Sequence, residues 1–157
     1  MRGFFMKLVI LAVGRARATP EQQLVADWLA RLPQGGRLVE VESRLPAGQG
    51  RTGDEGDRLL RHVPDGMPLI ACDPRGRDTS SEALAAMLER YRDEGMATAY
   101  FAIGGADGHA DRVLDRAESR IAFGSATWPH MLFRAMLAEQ LYRAMMILAG
   151  HPYHRGG

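Results

Sequence analysis

Apolar and polar positions along the chain follow two alternating rhythms. Lys7–Val13 is an unbroken β-rich apolar run that ends at Gly14. It predicts a strand buried on both faces, because a half-exposed strand would alternate. Over Pro20–Arg31 the side chains Leu24, Val25, Trp28 and Leu29 take helical spacing, continued by Leu32, and Thr19 stands as a cap before Pro20. The pattern then repeats. Leu38–Val41, Leu69–Cys72, Ala99–Ile103 and Arg120–Phe123 read as strands, and Asp54–His62, Glu82–Glu94, Ala110–Glu118 and His130–Ala149 as helices. Ser80 and Ser81 cap the third helix, Glu94-Gly95 closes it, and Gly150 stops the last. Pro46–Gly50 reads as a flexible loop, and Asp73-Pro74-Arg75-Gly76 as the end of the third strand.

Five strand–helix units in series specify an α/β fold, a parallel sheet covered on both faces. No repeat or shift in composition divides the 157 residues, so residues 1–157 are expected to form one domain. Periodicity does not order the strands. The last helix stands apart: apolar side chains at 131, 132, 133, 136, 137, 141, 145 and 148 leave only a thin polar stripe at 134, 139, 140 and 143. A helix apolar over that much of its girth needs burial on two sides, one against its own sheet and one against a partner subunit. A homodimer is expected.

With 46% hydrophobic and 25% charged residues the composition excludes disorder, collagen and a disulfide scaffold. Cys72, the single cysteine, has no internal partner, which points to a reducing, cytoplasmic setting. Phe4–Leu11 followed by Ala16-Arg17-Ala18 imitates a signal peptide, but Lys7 interrupts the apolar run and arginines crowd the imitation cleavage site. A buried first strand is the better reading, with Met6 as the natural start and residues 1–5 as an upstream extension. The apolar stretch 131–149 carries Arg134, Glu139, Gln140 and Arg143, so no membrane span is expected.

The 20 basic residues against 19 acidic leave a net charge of +1, and Lys7 is the only lysine. Arginine's planar fork suits phosphate and carboxylate, although codon usage also favours arginine in some genomes. No basic run declares a nucleic-acid binder.

Candidate chemistry gathers late in the chain. No G-x-G-x-x-G follows the first strand and no phosphate loop occurs anywhere, which disfavours a Rossmann or flavodoxin-like nucleotide site. Gly104-Gly105 instead follows the fourth strand, where missing side chains let backbone approach a ligand; the same pair also suits a tight turn. Gly124-Ser125-Ala126-Thr127-Trp128-Pro129 follows the fifth, small residues stiffened by proline. With Cys72-Asp73 and Gly76 after the third strand, three loops at one sheet edge predict a cofactor site. Cys72 reads as a small core residue rather than a nucleophile, Asp107 as a cap for the next helix, and Glu139 with Arg143 as a pair along the last helix. The tail His151-Pro152-Tyr153-His154-Arg155 offers an aromatic to stack on a base, an imidazole to handle a proton and a guanidinium for phosphate. Its two histidines lack the partners of a metal site, so no metal is expected.

An N-terminal Met-Lys-Leu strand ending in Ala-Val-Gly, the Ile103-Gly104-Gly105 turn, Thr127-Trp128-Pro129-His130, Glu139-Gln140-Leu141-Tyr142-Arg143-Ala144 and the terminal His151-Pro152-Tyr153-His154-Arg155 together resemble the RlmH family. These are SPOUT-superfamily methyltransferases of the large ribosomal subunit, and the resemblance runs from Met6 almost to the end. It implies an α/β knot, in which the C-terminal segment threads a deep trefoil. It implies a homodimer that binds S-adenosylmethionine and methylates N3 of a pseudouridine in 23S rRNA, position 1915 by the family's habit, on the assembled ribosome. Cofactor contacts carry over to Cys72, Gly105, Gly124, Ser125, Ala126, Thr127, Trp128 and Pro129. Catalytic roles carry over to Tyr153, His154 as acceptor of the N3 proton or organiser of the water that takes it, and Arg155, with His130 in reserve. Cys72 stands where the family often has leucine, Gly124 where several members have serine or leucine, and the stretch 44–56 is shorter and less basic than in relatives. The alternative is a non-catalytic RNA- or ribosome-binding dimer of the same fold.

Overall fold

In a computed structural model that describes residues 6–156, the continuous apolar run forms the second strand of a five-stranded sheet. The extension expected at Met1–Phe5 lies outside the described residues. Strands β1 (Lys7–Val13), β2 (Arg37–Val41), β3 (Leu69–Asp78), β4 (Thr98–Ile103) and β5 (Ser119–Ala122) are all parallel, in the order β2-β1-β4-β3-β5. Between them run α1 (Pro20–Ala30), α2 (Gln49–Leu60), α3 (Ser81–Asp93) and α4 (Asp111–Arg116), followed by α5 (His130–Leu148) and a short 3-10 helix, Pro152–Gly156.

Burial on both faces explains why the strands read as unbroken runs. Leu8, Ile10 and Ala12 of β1 pack into a core with Val25, Leu29, Leu84, Leu88, Leu137 and Leu141 from α1, α3 and α5. Val9, Leu11 and Val13 point the other way, toward Leu59 and Val113 from α2 and α4. Two expected caps hold, Thr19 Oγ1 accepting from the Gln22 N–H at 3.2 Å and Ser80 Oγ from the Ala83 N–H at 3.0 Å, while Ser81 is the first residue of α3 and its hydroxyl donates to Gln140 Oε1 at 2.6 Å.

Two elements differ from expectation. Helix α2 begins at Gln49, not Asp54, so Pro46–Gly50 is not loop throughout. Gly50, Gly53 and Gly56 lower the helical signal, yet two of them lie against the start of α4 and packing is tight at Gly56. A Cβ at Gly56 would stand 3.0 Å from Ala110 and Val113, and one at Gly53 2.9 Å from the Arg112 guanidinium that bonds the Gly53 carbonyl and Asp57. Tertiary contact with α4 outweighs a propensity cost of about 1 kcal/mol per glycine. Strand β3 does not end at Cys72 either. It resumes after an irregularity, pairing Arg77 with Ile121 and Asp78 with Ala122 of β5. Gly76 permits this, since a Cβ there would lie 2.7 Å from the backbone of Arg120 and Ile121. Gly76→Ala should therefore force β3 and β5 apart and cost about 1–3 kcal/mol, read as a lowered urea midpoint at unchanged slope.

Helix α5 meets part of its demand for two-sided burial within the chain. It lies on the sheet between α1 and α3, with Arg134, Ala135, Leu137, Ala138, Leu141, Ala144 and Met145 buried. Leu132, 37% exposed, and the half-buried Met131, Phe133 and Met136 stay open toward its N-terminal end. Among the described residues no helix is long and apolar enough to cross a membrane.

Candidate functional site

The irregular stretch inside β3 at Cys72-Asp73-Pro74 and the loops that leave β4 and β5 meet with the end of β1 around one cleft of about 510 Å³. This is the edge where open α/β sheets hold ligands. Cys72, Gly105, Gly124, Ala126, Thr127 and Trp128 all line it; Ser125 and Pro129 belong to the same loop but are not among its walls. The cleft also takes in Val13 and Gly14 from β1, Glu55 from α2, and His130, Met131 and Phe133 from α5.

One end is apolar. Phe123 and Phe133 stack with centroids 5.3 Å apart, close to Ile103, Ile121 and Met131. The loop 124–129 arches over this end because Gly124 takes φ +81, its N–H donates to Asp78 Oδ1 at 2.8 Å, and Trp128 Nε1 donates to the Phe123 carbonyl at 2.8 Å. Gly105 opens the floor: a Cβ there would meet Val13 Cγ1 and Glu55 Oε1 at 3.0 Å. A flat ring of nucleobase size fits such walls.

The polar groups of the cleft are tuned by their surroundings. Burial would push the Asp73 carboxyl up, but hydrogen bonds from the Arg75 side chain and backbone hold it below the ordinary carboxylate range. His109 Nε2 bonds the Ala102 carbonyl at 3.1 Å, and burial keeps that ring neutral by lowering its pKa. His130, half-buried and next to the Arg134 charge, is shifted the same way; its Nε2 accepts from Arg134 Nε at 3.2 Å and is therefore not free to take a proton. Burial pushes the Cys72 thiol far up, which agrees with a core role and excludes a ready thiolate nucleophile. Asp107 does not cap α4, whose N-cap is Ala110; it lies 3.9 Å from Arg51 instead.

The tail folds elsewhere on this chain. Tyr153 Oη donates to Glu139 Oε2 at 2.7 Å and its ring packs on Tyr142 and Trp28, 5.0 and 6.0 Å between centroids. Arg143, paired with Glu139 as expected at 2.8 Å, lies over the Tyr153 ring and donates to His154 Nδ1 at 3.1 Å. A guanidinium only donates, so Nδ1 is the acceptor and Nε2 carries the hydrogen, facing Glu82 at 3.4 Å. Tyr153, His154 and Arg155 are thus not on the cleft wall. A second recess of about 400 Å³ separates them from it, lined by Asp78, Ser81, Met136 and Glu139, and sharing Phe123 and Gly124 with the cleft. Among the described residues no three His, Cys, Asp or Glu side chains gather in a metal-holding group.

Two buried charged residues in and beside the cleft escape a reading of the sequence. Arg134, 1% exposed, joins α5 to the ends of β1 and β2 by bonding Glu40 at 2.6 Å and the Val13 and Gly14 carbonyls at 3.2 and 2.9 Å. Glu55, 9% exposed, faces the floor of the cleft. Both look like ordinary polar positions on amphipathic helices, and the fact that they are buried is not visible in their spacing.

A family profile described as "Predicted SPOUT methyltransferase" matches residues 6–154. Proteins called ribosomal RNA large subunit methyltransferase H are similar along nearly the full length. Those of Rhodospirillum centenum and Paramagnetospirillum magneticum are 51% and 49% identical over 151 residues, and that of Cereibacter sphaeroides is 50% identical over 158; each comparison covers 96% of this chain and 99% of the relative.

Proposed function

The chain belongs to the SPOUT methyltransferase family, and from that premise we propose that it methylates N3 of a pseudouridine in 23S rRNA of the assembled ribosome, in the cytoplasm and as a homodimer. It is a methyltransferase, and the family's methyl donor is S-adenosylmethionine. The single observation that supports the reading most is the convergence of the irregular stretch of β3 and the loops after β4 and β5 into one cleft floored by Gly105. The residues present fit the donor: an apolar end for adenine, a floor without a Cβ and a desolvated carboxylate. Cys72, Gly105 and Gly124–Pro129 are the residues assigned to hold it. When bound, the donor supplies a methyl group already activated by its sulfonium.

The chain's own work is then to hold the base in line and to remove the N3 proton. Tyr153 is assigned to stack on the base and Arg155 to hold its phosphate. With His154 Nδ1 engaged by Arg143, the ring is suited to organising the water that takes the proton rather than to taking it directly. Because Tyr153, His154 and Arg155 lie off the cleft wall of their own chain, the dimer we infer sets the tail of one protomer at the cleft of the other. Trp128 and Leu132, 40% and 37% exposed beside the cleft, are apolar surface that such a neighbour would cover. We also infer the family's trefoil knot where residues 124–129 lead from edge strand β5 into α5.

Incubation with labelled S-adenosylmethionine and ribosomes lacking the modification should label the large subunit, and mapping should place the methyl on N3 of one pseudouridine. Label elsewhere, or none, overturns the reading. His154→Ala should lower the methylation rate about 100-fold or more, the general scale of acid–base assistance, with donor affinity unchanged; a wild-type rate removes His154 from the chemistry. Mixing His154→Ala with a donor-site variant should restore activity that neither has alone, and no recovery argues against a site shared by two protomers.

A further inference from the structure

Of the two carboxylates that line the cleft, Glu55 and Asp73, Glu55 is the one without a hydrogen-bond donor among the described residues. Its side chain is nearly buried, its oxygens stand 3.0 and 3.2 Å from where a Cβ of Gly105 would be, and among the described residues it accepts no hydrogen bond. Asp73, the other carboxylate there, receives three hydrogen bonds from Arg75. Among the described residues the one cation paired with Glu55 is Arg51, at 4.0 Å, the outer limit of an ion pair, and Arg51 also lies 3.9 Å from Asp107. The Glu55 oxygens keep contact with the open cleft, 12% of the side chain being exposed, so they present an acceptor to whatever the cleft holds.

We propose that Glu55 is the counter-charge by which the cleft selects the cationic methyl donor over its neutral thioether product. The proposal rests on the reading of this cleft as the methyl-donor site. S-adenosylmethionine carries a sulfonium and an ammonium against one carboxylate, and S-adenosylhomocysteine differs from it by loss of the sulfonium charge. In a cleft of low polarity a fixed negative charge favours the first at any place where the two overlap, even without direct contact. Transfer of the methyl group removes the positive charge, and the spent cofactor is held less tightly once the reaction is over.

Charged groups around Glu55 are Arg51 and Asp54 on its own helix and Asp107 on the loop after β4; β1 brings only Val13 to it. Burial, assisted by Asp107 and Asp54 and opposed by Arg51, raises its pKa in the free protein. A bound cation favours the ionised carboxylate. The affinity for S-adenosylmethionine should therefore rise as pH rises through the raised pKa of Glu55, and the affinity for S-adenosylhomocysteine should rise much less.

Titration calorimetry of the full chain tests this without turnover. Glu55→Gln keeps the shape and removes the charge. It should weaken S-adenosylmethionine about 10- to 100-fold, weaken S-adenosylhomocysteine by no more than about 3-fold, and remove the difference in pH dependence. An analogue with an amine in place of the sulfonium should behave as the cationic donor does. Equal losses for the charged and uncharged ligands would show that Glu55 only supports the Gly105 loop, and would overturn the proposal. So would matching pH profiles of the two ligands on the wild-type protein, a measurement that needs no variant to fold. If the wild type bound neither ligand, the failure would lie with the reading of the cleft instead.

Discussion

Arg134→Ala is expected to lower the stability of the fold by about 3 kcal/mol, the lower part of the range for breaking a buried ion pair. The lower part applies because Glu40, its partner at 2.6 Å, keeps 21% of its side chain exposed while Arg134 keeps 1%. The variant strands more than one charge. It also leaves the Val13 and Gly14 carbonyls, at the end of β1, without the guanidinium that bonds both, and Glu40 then has only the Ala16 N–H at 2.6 Å. Arg134→Lys should recover little, since one ammonium cannot span Glu40, two carbonyls and His130. Replacing both partners, Glu40→Gln with Arg134→Met, should cost less than Arg134→Ala alone, because no buried charge is left unmatched. Urea unfolding measures each value. A loss under about 1 kcal/mol for Arg134→Ala would mean that water reaches the site and that the guanidinium is not the staple described. Val13 and Gly14 also line the cleft, so the same variant should loosen donor binding.

Gly105→Val should reduce the affinity for S-adenosylmethionine at least 100-fold, about 2.8 kcal/mol at 1.4 kcal/mol per decade, while the protein stays folded. The first carbon of the new side chain already meets Val13 Cγ1 and Glu55 Oε1 at 3.0 Å, and its two methyl groups must go into the cleft. Both neighbours are side-chain atoms that can move by a few tenths of an ångström, and Gly105 is not among the glycines with positive φ, so the backbone tolerates valine. Calorimetry with S-adenosylmethionine and S-adenosylhomocysteine separates this from a charge effect, because bulk on the floor should exclude both. Undiminished affinity would place the ligand away from Gly105 and remove the main support for the donor site.

The elements were legible in the sequence wherever a single cause shaped the pattern. Lys7–Val13 reads as a strand because both faces are buried, and Thr19 and Ser80 read as caps because their hydroxyls serve the nearest free N–H groups. Reading failed where distant contacts outweighed local preference. The glycines of α2 look like a loop until α4 is packed against Gly53 and Gly56, and Gly76 looks like a strand end until β5 lies across it. The cleft-lining loops after β4 and β5 were legible because each is a run of small residues after a strand, whereas the expected loop at Cys72-Asp73 proved to be an irregularity inside β3. The tail was legible as a motif but not as a position: Tyr153 and His154 are held by Glu139, Arg143 and Glu82, up to 72 residues away in sequence.

By itself the sequence determined the alternation of strand and helix, the burial of the sheet on both sides and the chemistry available at the strand ends, because these follow from local spacing and side-chain type. The tertiary structure alone decided the order β2-β1-β4-β3-β5, the burial of Arg134, and the placement of Glu55 without a hydrogen-bond donor on the floor of the cleft. Strand order depends on which ends meet after long crossovers, and the environment of a charge depends on what packs around it; neither is encoded in the period of the chain.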